Sequence, residues 1–143
     1  MDLDEYKDAR DSASEEEIHK ALIKWAGYKE AEMPALRLLH HVPNGGKMPP
    51  GSAGKLKGMG MKRGVPDLVL PVPRGSYHGL YLELKSPSGR VRPTQRWWLQ
   101  ALAEEGYAVE VAYCLDDAIE AVEEYLAGEH ERRADLSGKT ERP

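Results

Sequence analysis

Residues 79–85, Gly-Leu-Tyr-Leu-Glu-Leu-Lys, constrain this chain more than any other segment. Leucine recurs at every second position, so an extended backbone puts Leu80, Leu82 and Leu84 on one face and Tyr81, Glu83 and Lys85 on the other. A helix would scatter the same leucines around its circumference. The segment therefore reads as a strand whose apolar face needs a layer of structure over it. Its second face holds a carboxylate and an ammonium, and burying such ions is costly unless each is compensated. Either that face is simply open to solvent, or its charges are kept for chemistry.

Asp67 tips the balance toward chemistry. Residues 65–70, Val-Pro-Asp-Leu-Val-Leu, read as a turn entering a buried strand, with Asp67 at its start. If this strand neighbours 79–85, Asp67 lies beside Glu83, and two adjacent carboxylates repel strongly unless a cation sits between them. Hard oxygen donors completed by water suit Mg2+ or Mn2+. Lys85, on the same face as Glu83, can polarise a water or stabilise charge growing on a phosphate. An activated water and charge neutralisation at phosphorus are what phosphodiester hydrolysis requires.

The charge distribution points the same way. The chain has 143 residues and a net charge of -4, which alone would argue against a nucleic-acid partner. Residues 41–100, however, contain 10 lysines and arginines and only 2 carboxylates, Asp67 and Glu83. The flanking regions are acidic. A basic centre of this kind is the footprint of a phosphate-binding surface. The single cysteine, Cys114, rules out an internal disulfide and a cysteine zinc cage. No apolar run is long enough to span a bilayer, and the acidic first residues are unlike a secretory signal, so the cytoplasm is the expected location.

The rest of the pattern defines an α/β chain. Residues 1–13 are expected to be a flexible N-terminus, 14–127 one domain, and 128–143 a flexible polar tail. Ser14 and Glu17 form a capping-box pattern for a first helix that presents Ile18, Ala21, Leu22 and Trp25, with Glu15 and His19 bordering that side. Residues 36–42 have strand composition. Residues 43–64 hold seven glycines and three prolines, a long loop of a kind that is usually functional, with a short helix possible near 53–59. Residues 94–105 form an amphipathic helix in which Trp98 is expected in the core and Trp97 partly exposed. A strand at 107–113 and a helix at 116–126 follow. His40 and His41 face opposite ways on their strand, so at most one could approach the metal or phosphate, and a structural role is the expectation for each. The order α-β-β-β-α-β-α gives a central mixed sheet flanked by helices.

Pro66-Asp67 followed by Glu83-Leu84-Lys85 resembles the Pro-Asp…(Asp/Glu)-x-Lys signature of the restriction-endonuclease-like nucleases. More narrowly, the chain resembles the virus-type replication-repair nuclease (VRR-NUC) domains. That resemblance rests on residues 42–46, 60–67, 79–85 and 95–99, in that order, and more loosely on Glu15-x-x-Ile18-His19. It implies a restriction-endonuclease-like core over residues 14–126. It further implies Asp67, Glu83 and the Leu84 carbonyl as metal ligands, Lys85 as the catalytic lysine, and Glu15 and Gln95 as additional active-site residues. Glu16 remains a rival to Glu15, and His19 stands where the family often has glutamine. Asn44, Lys47, Lys55, Lys57, Lys62, Arg63, Arg90 and Arg92 are the expected DNA contacts.

The activity implied is a Mg2+- or Mn2+-dependent, structure-selective DNA endonuclease. Small members of this kind resemble Holliday-junction-cleaving homodimers from phages or prophages acting inside a bacterial host cell. A monomeric nickase or flap nuclease, or a non-catalytic DNA-binding module, are the alternatives. Phosphate contacts from the basic block predict that DNA affinity falls by at least about tenfold between 50 and 200 mM salt. Fluorescence anisotropy with a labelled duplex measures this, and a flat salt response would remove the basic block from the interface.

Overall fold

The computed structural model describes residues 2–5, 12–43, 49–132 and 134–143. Helix α1 (Glu15–Lys29) starts where Ser14 Oγ accepts the Glu17 N–H at 3.1 Å, and Glu15, Glu16 and Glu17 place negative charge at the positive end of the helix dipole. Ile18, Leu22 and Ala26 recur every four residues and form its buried stripe. A 3-10 turn (Pro34–Leu38), strand β1 (His40–His41) and a short helix α2 (Ser52–Gly58) follow. Then come β2 (Leu68–Leu70), β3 (Leu80–Leu84), α3 (Pro93–Glu104), β4 (Ala108–Ala112) and α4 (Leu115–Leu126).

The four strands form one sheet in the order β1-β2-β3-β4. The first two pairings are antiparallel, while β3 and β4 run parallel. A parallel pair needs a crossover, and α3 provides it. Leu68, Leu82, Leu70 and Leu80 pair across β2 and β3, so the leucines of both strands point to one side. There they join Ile18 and Leu22 of α1 and Ala118, Val122 and Tyr125 of α4 in a single core. Val69, Tyr81 and Val109 share a register row on the opposite side, and α3 packs against β4 with Leu99 fully buried. Both faces of β3 are therefore covered, and β3 reads as buried along its whole length except at Tyr81.

Two local features differ from the sequence expectations. The strand expected over 36–42 shrinks to His40–His41. Pro34 starts a 3-10 turn in which Leu36 N bonds Met33 O and Leu39 N bonds Leu36 O, and this turn drops Leu36 into the core. Trp98 is not a core residue. Both tryptophans are half-buried, in edge contact at 5.5 Å, and Trp98 Nε1 donates to Arg63 O at 3.0 Å. A buried indole N–H needs an acceptor, and the incoming loop supplies one at the margin of the helix. The C-terminal residues also make specific contacts along α3. Gln100 donates to Leu136 O, Arg96 donates to Lys139 O, and Glu141 N donates to Pro93 O. Among the described residues, no helix is long and apolar enough to cross a membrane.

Tyr125 ties α4 to the turn after β2. Its ring is fully buried, and its hydroxyl donates to Val72 O. Tyr125→Phe leaves that buried carbonyl without its donor. The expected loss is about 1–2 kcal/mol, read as a lower urea midpoint with an unchanged slope.

Candidate active site

The site forms where β2 begins and β3 ends. Gly64, with φ at 90°, lies so close to α3 that an added Cβ would come within 3.0 Å of the Thr94 backbone. Pro66 and Asp67 then lead into β2. The Asp67 carbonyl accepts from Val42 N at 2.8 Å and from His41 Nδ1 at 2.9 Å, so β1 grips this residue. Leu68 pairs with Leu82, which leaves Leu84 beyond the last β2 partner. Its N–H donates instead to Asp67 Oδ2 at 2.8 Å. The N–H and C=O of one strand residue leave by the same edge, so the Leu84 carbonyl faces the Asp67 side as well.

Glu83 is 1% exposed and sits on the face of β3 opposite the leucines. Its Oε1 accepts from Gln95 Nε2 at 3.3 Å, while Oε2 is buried and has no donor among the described residues. Burial, then the neighbouring Asp67, push the Glu83 carboxyl up to about 9, against the opposing pull of Lys85. Asp67 adds to this rise both as a neighbouring negative charge and as a hydrogen-bond partner.

Gln95 is oriented by its own backbone surroundings. It is the third residue of α3, and its Oε1 accepts the Arg92 N–H at 2.8 Å, which turns its amide nitrogen toward Glu83. Lys85 is 3% exposed, is fixed in the sheet by its N–H to Ala112 O at 2.8 Å, and has Nζ 3.8 Å from Glu15 Oε1. Glu16 instead pairs with Lys20 at 2.8 Å on the outer surface. Of the two rival glutamates, Glu15 is the one that approaches Lys85.

An open cleft leads to these groups, lined by Glu15, Glu16, His19, Lys20, His41 and Asp67. The His19 and His41 rings meet edge-on at 4.7 Å. Burial, then His41, hold His19 below the usual imidazole range, with Asp67 opposing. Sequence reasoning allowed one of the adjacent pair His40 and His41 to approach the site without saying which; His41 does so, while His40 bonds locally, to Leu38 O. The relevant signal is the pairing of His41 with Leu68, beside Asp67, and a sequence does not display pairing. Lys55, Lys57, Lys62, Arg63, Arg90 and Arg92 are all exposed, on α2, the loop after it and the loop before α3. Asn44 and Lys47 lie outside the described residues.

Among the described residues, no three His, Cys, Asp or Glu side chains form a ready-made metal cage. The groups that can hold a cation are the Asp67 and Glu83 carboxylates and the Leu84 carbonyl. All are hard oxygen donors, and so few protein ligands suit an ion that keeps several waters. The donorless Oε2 of Glu83 is what fits the pair to a cation.

A mixed sheet with an acid pair and a lysine at the junction of its central strands defines a nuclease-type α/β domain. The chain belongs to the VRR-NUC family, whose domain profile matches residues 13–115. It is also similar to a solved structure described as a VRR_NUC domain protein. The two are 32% identical, the match covers 81% of this chain and 90% of the other, and the TM-score is 0.69. No curated protein matches the chain.

The Glu83 geometry carries a stability consequence. The folded carboxyl is raised above its ordinary value of 4.5, so the folded state retains a proton that the unfolded chain releases. Stability of the metal-free protein therefore falls as pH rises from about 4.5 toward about 9. Glu83→Gln, which removes this penalty, is expected to raise the metal-free Tm at pH 8 by about 3 °C or more. At pH 4 the gain should vanish. Thermal denaturation in chelator at both pH values checks it, and an equal Tm for both proteins at pH 8 would contradict the raised carboxyl.

Proposed function

We propose that this protein is a divalent-metal-dependent DNA endonuclease that cleaves branched DNA, in the manner of a Holliday junction resolvase. The observation that carries the reading is the buried Glu83, with one orphaned oxygen and Asp67 as a neighbouring carboxylate, beside the buried Lys85. Outside catalysis this arrangement is only a cost to the fold.

In this reading Asp67, Glu83 and the Leu84 carbonyl hold Mg2+ or Mn2+. When bound, the ion supplies an activated water and charge neutralisation at the scissile phosphate. Gln95 holds one Glu83 oxygen, leaving the other free for the ion. Lys85 directs its ammonium at a phosphate oxygen where negative charge grows in the transition state, and Glu15 sets the position of that ammonium. The exposed cations from Lys55 to Arg63, with Arg90 and Arg92, take flanking phosphates and hold the duplex over the cleft. Junction specificity, a homodimer that makes paired nicks, and a phage or prophage role in replication or repair within a bacterial cytoplasm follow the small family members that the chain resembles.

The test uses labelled four-way junction, flap and duplex DNA with Mg2+, Mn2+ or chelator. Metal-dependent paired nicks on the junction are expected. Asp67→Ala and Lys85→Ala should each lower the rate by about 100-fold or more. Cleavage in chelator, or cleavage that survives Asp67→Ala, sinks the active-site reading. Single nicks on flaps by a monomer would replace the resolvase by a flap nuclease, and binding without cutting on every substrate would leave a DNA-binding module.

A further inference from the structure

We propose that His41, braced by His19, is a positioning residue that holds Asp67 in place for the cation, an inference that rests on the cation-site reading above.

Asp67 sits at a vulnerable point. It directly precedes β2, and the chain reaching it comes from a glycine-rich loop that turns at Gly64 with φ at 90°. On the β1 side its backbone is anchored, among the described residues, through the carbonyl, which accepts Val42 N at 2.8 Å and His41 Nδ1 at 2.9 Å. A carbonyl can only accept, so the His41 Nδ1 carries a proton and the imidazole acts as a donor. Strand β1 has just two residues, His40 and His41, so it offers little further backbone pairing to steady this corner.

His41 is exposed, so burial does not fix its ring. Two contacts do: the Asp67 carbonyl on one side and the edge of His19 on the other, at 4.7 Å and 75°. His19 lies on α1 one turn after Glu15. The same helix thus touches both halves of the site, through Glu15 to Lys85 on β3 and through His19 and His41 to Asp67 before β2. If the Asp67 backbone turned, its carboxylate would leave the Leu84 N–H and the Glu83 carboxyl together. The histidine pair resists that turn without touching substrate. His40 provides the internal contrast, because its Nδ1 bonds Leu38 O two residues away and leads nowhere near the acid pair.

The experiment titrates Mn2+ into the full chain by electron paramagnetic resonance, beside the metal-free Tm and steady-state cleavage of junction DNA. His41→Ala is expected to bind Mn2+ about 10- to 100-fold more weakly, with the metal-free Tm little changed. Its kcat should fall while KM for DNA holds. His41→Asn, whose amide N–H can reach the same carbonyl, should recover most of the Mn2+ affinity, and His40→Ala should lose none. His19→Ala should weaken binding less than His41→Ala. Wild-type Mn2+ affinity in His41→Ala overturns the inference while leaving the cation site standing. So does a loss that Asn fails to rescue and that comes with a fallen metal-free Tm, since this marks general destabilisation. Failure of the wild-type protein to bind Mn2+ overturns the cation-site reading itself, and this inference with it.

Discussion

The structure depends on the burial of the Glu83 carboxyl beside Asp67 at the end of β3. Glu83 is enclosed by protein, faces a second carboxylate, and has one oxygen with no donor among the described residues. A buried pair of like charges is unstable unless something positive lies between them. The surrounding contacts keep the pair assembled. Leu84 N holds one Asp67 oxygen, Gln95 holds one Glu83 oxygen, and β1 holds the Asp67 backbone. Each restrains one of the two carboxylates.

The fold makes such an arrangement tolerable. β3 lies inside the sheet with a leucine face in the main core, joined by α1 and α4. The stability gained on that side lets the other side carry Glu83 and Lys85 with almost no exposure. The two ends of the site then come from different depths of the structure. Glu83 stands on the central strand β3 and Lys85 directly follows it, both held to β4, whereas Asp67 stands where a long loop joins a strand, beside a two-residue edge strand. The two halves meet at the acid pair, and α1 contacts both.

Much of this was legible in the sequence because it follows from short periodicities. Alternation from Leu80 to Leu84 predicted both the strand and its two faces. Ser14 predicted the start of α1, although only the bond from Glu17 N to Ser14 is seen rather than a reciprocal box. The α/β order survives intact with α2 added, and the family resemblance is borne out over residues 13–115. Where the sequence misled, a longer-range contact had overridden a local preference. Leu36 left its expected strand for the core, and Trp98 stayed half-buried because its N–H found the Arg63 carbonyl.

The sequence by itself determined the chemistry available: two carboxylates and a lysine set into a basic stretch, on strands whose alternation dictates which side chains share a face. Only tertiary structure decided how those groups meet. The antiparallel register of β2 on β3 puts the Asp67 carboxylate on Leu84 N, and β1 pairing brings His41 to the Asp67 carbonyl. It is also α1 packing that selects Glu15 over Glu16 as the neighbour of Lys85. Period-2 and period-3.6 patterns report which way a side chain points from its own backbone. They do not report which residue of another element stands opposite, because that is set by burying all the faces at once.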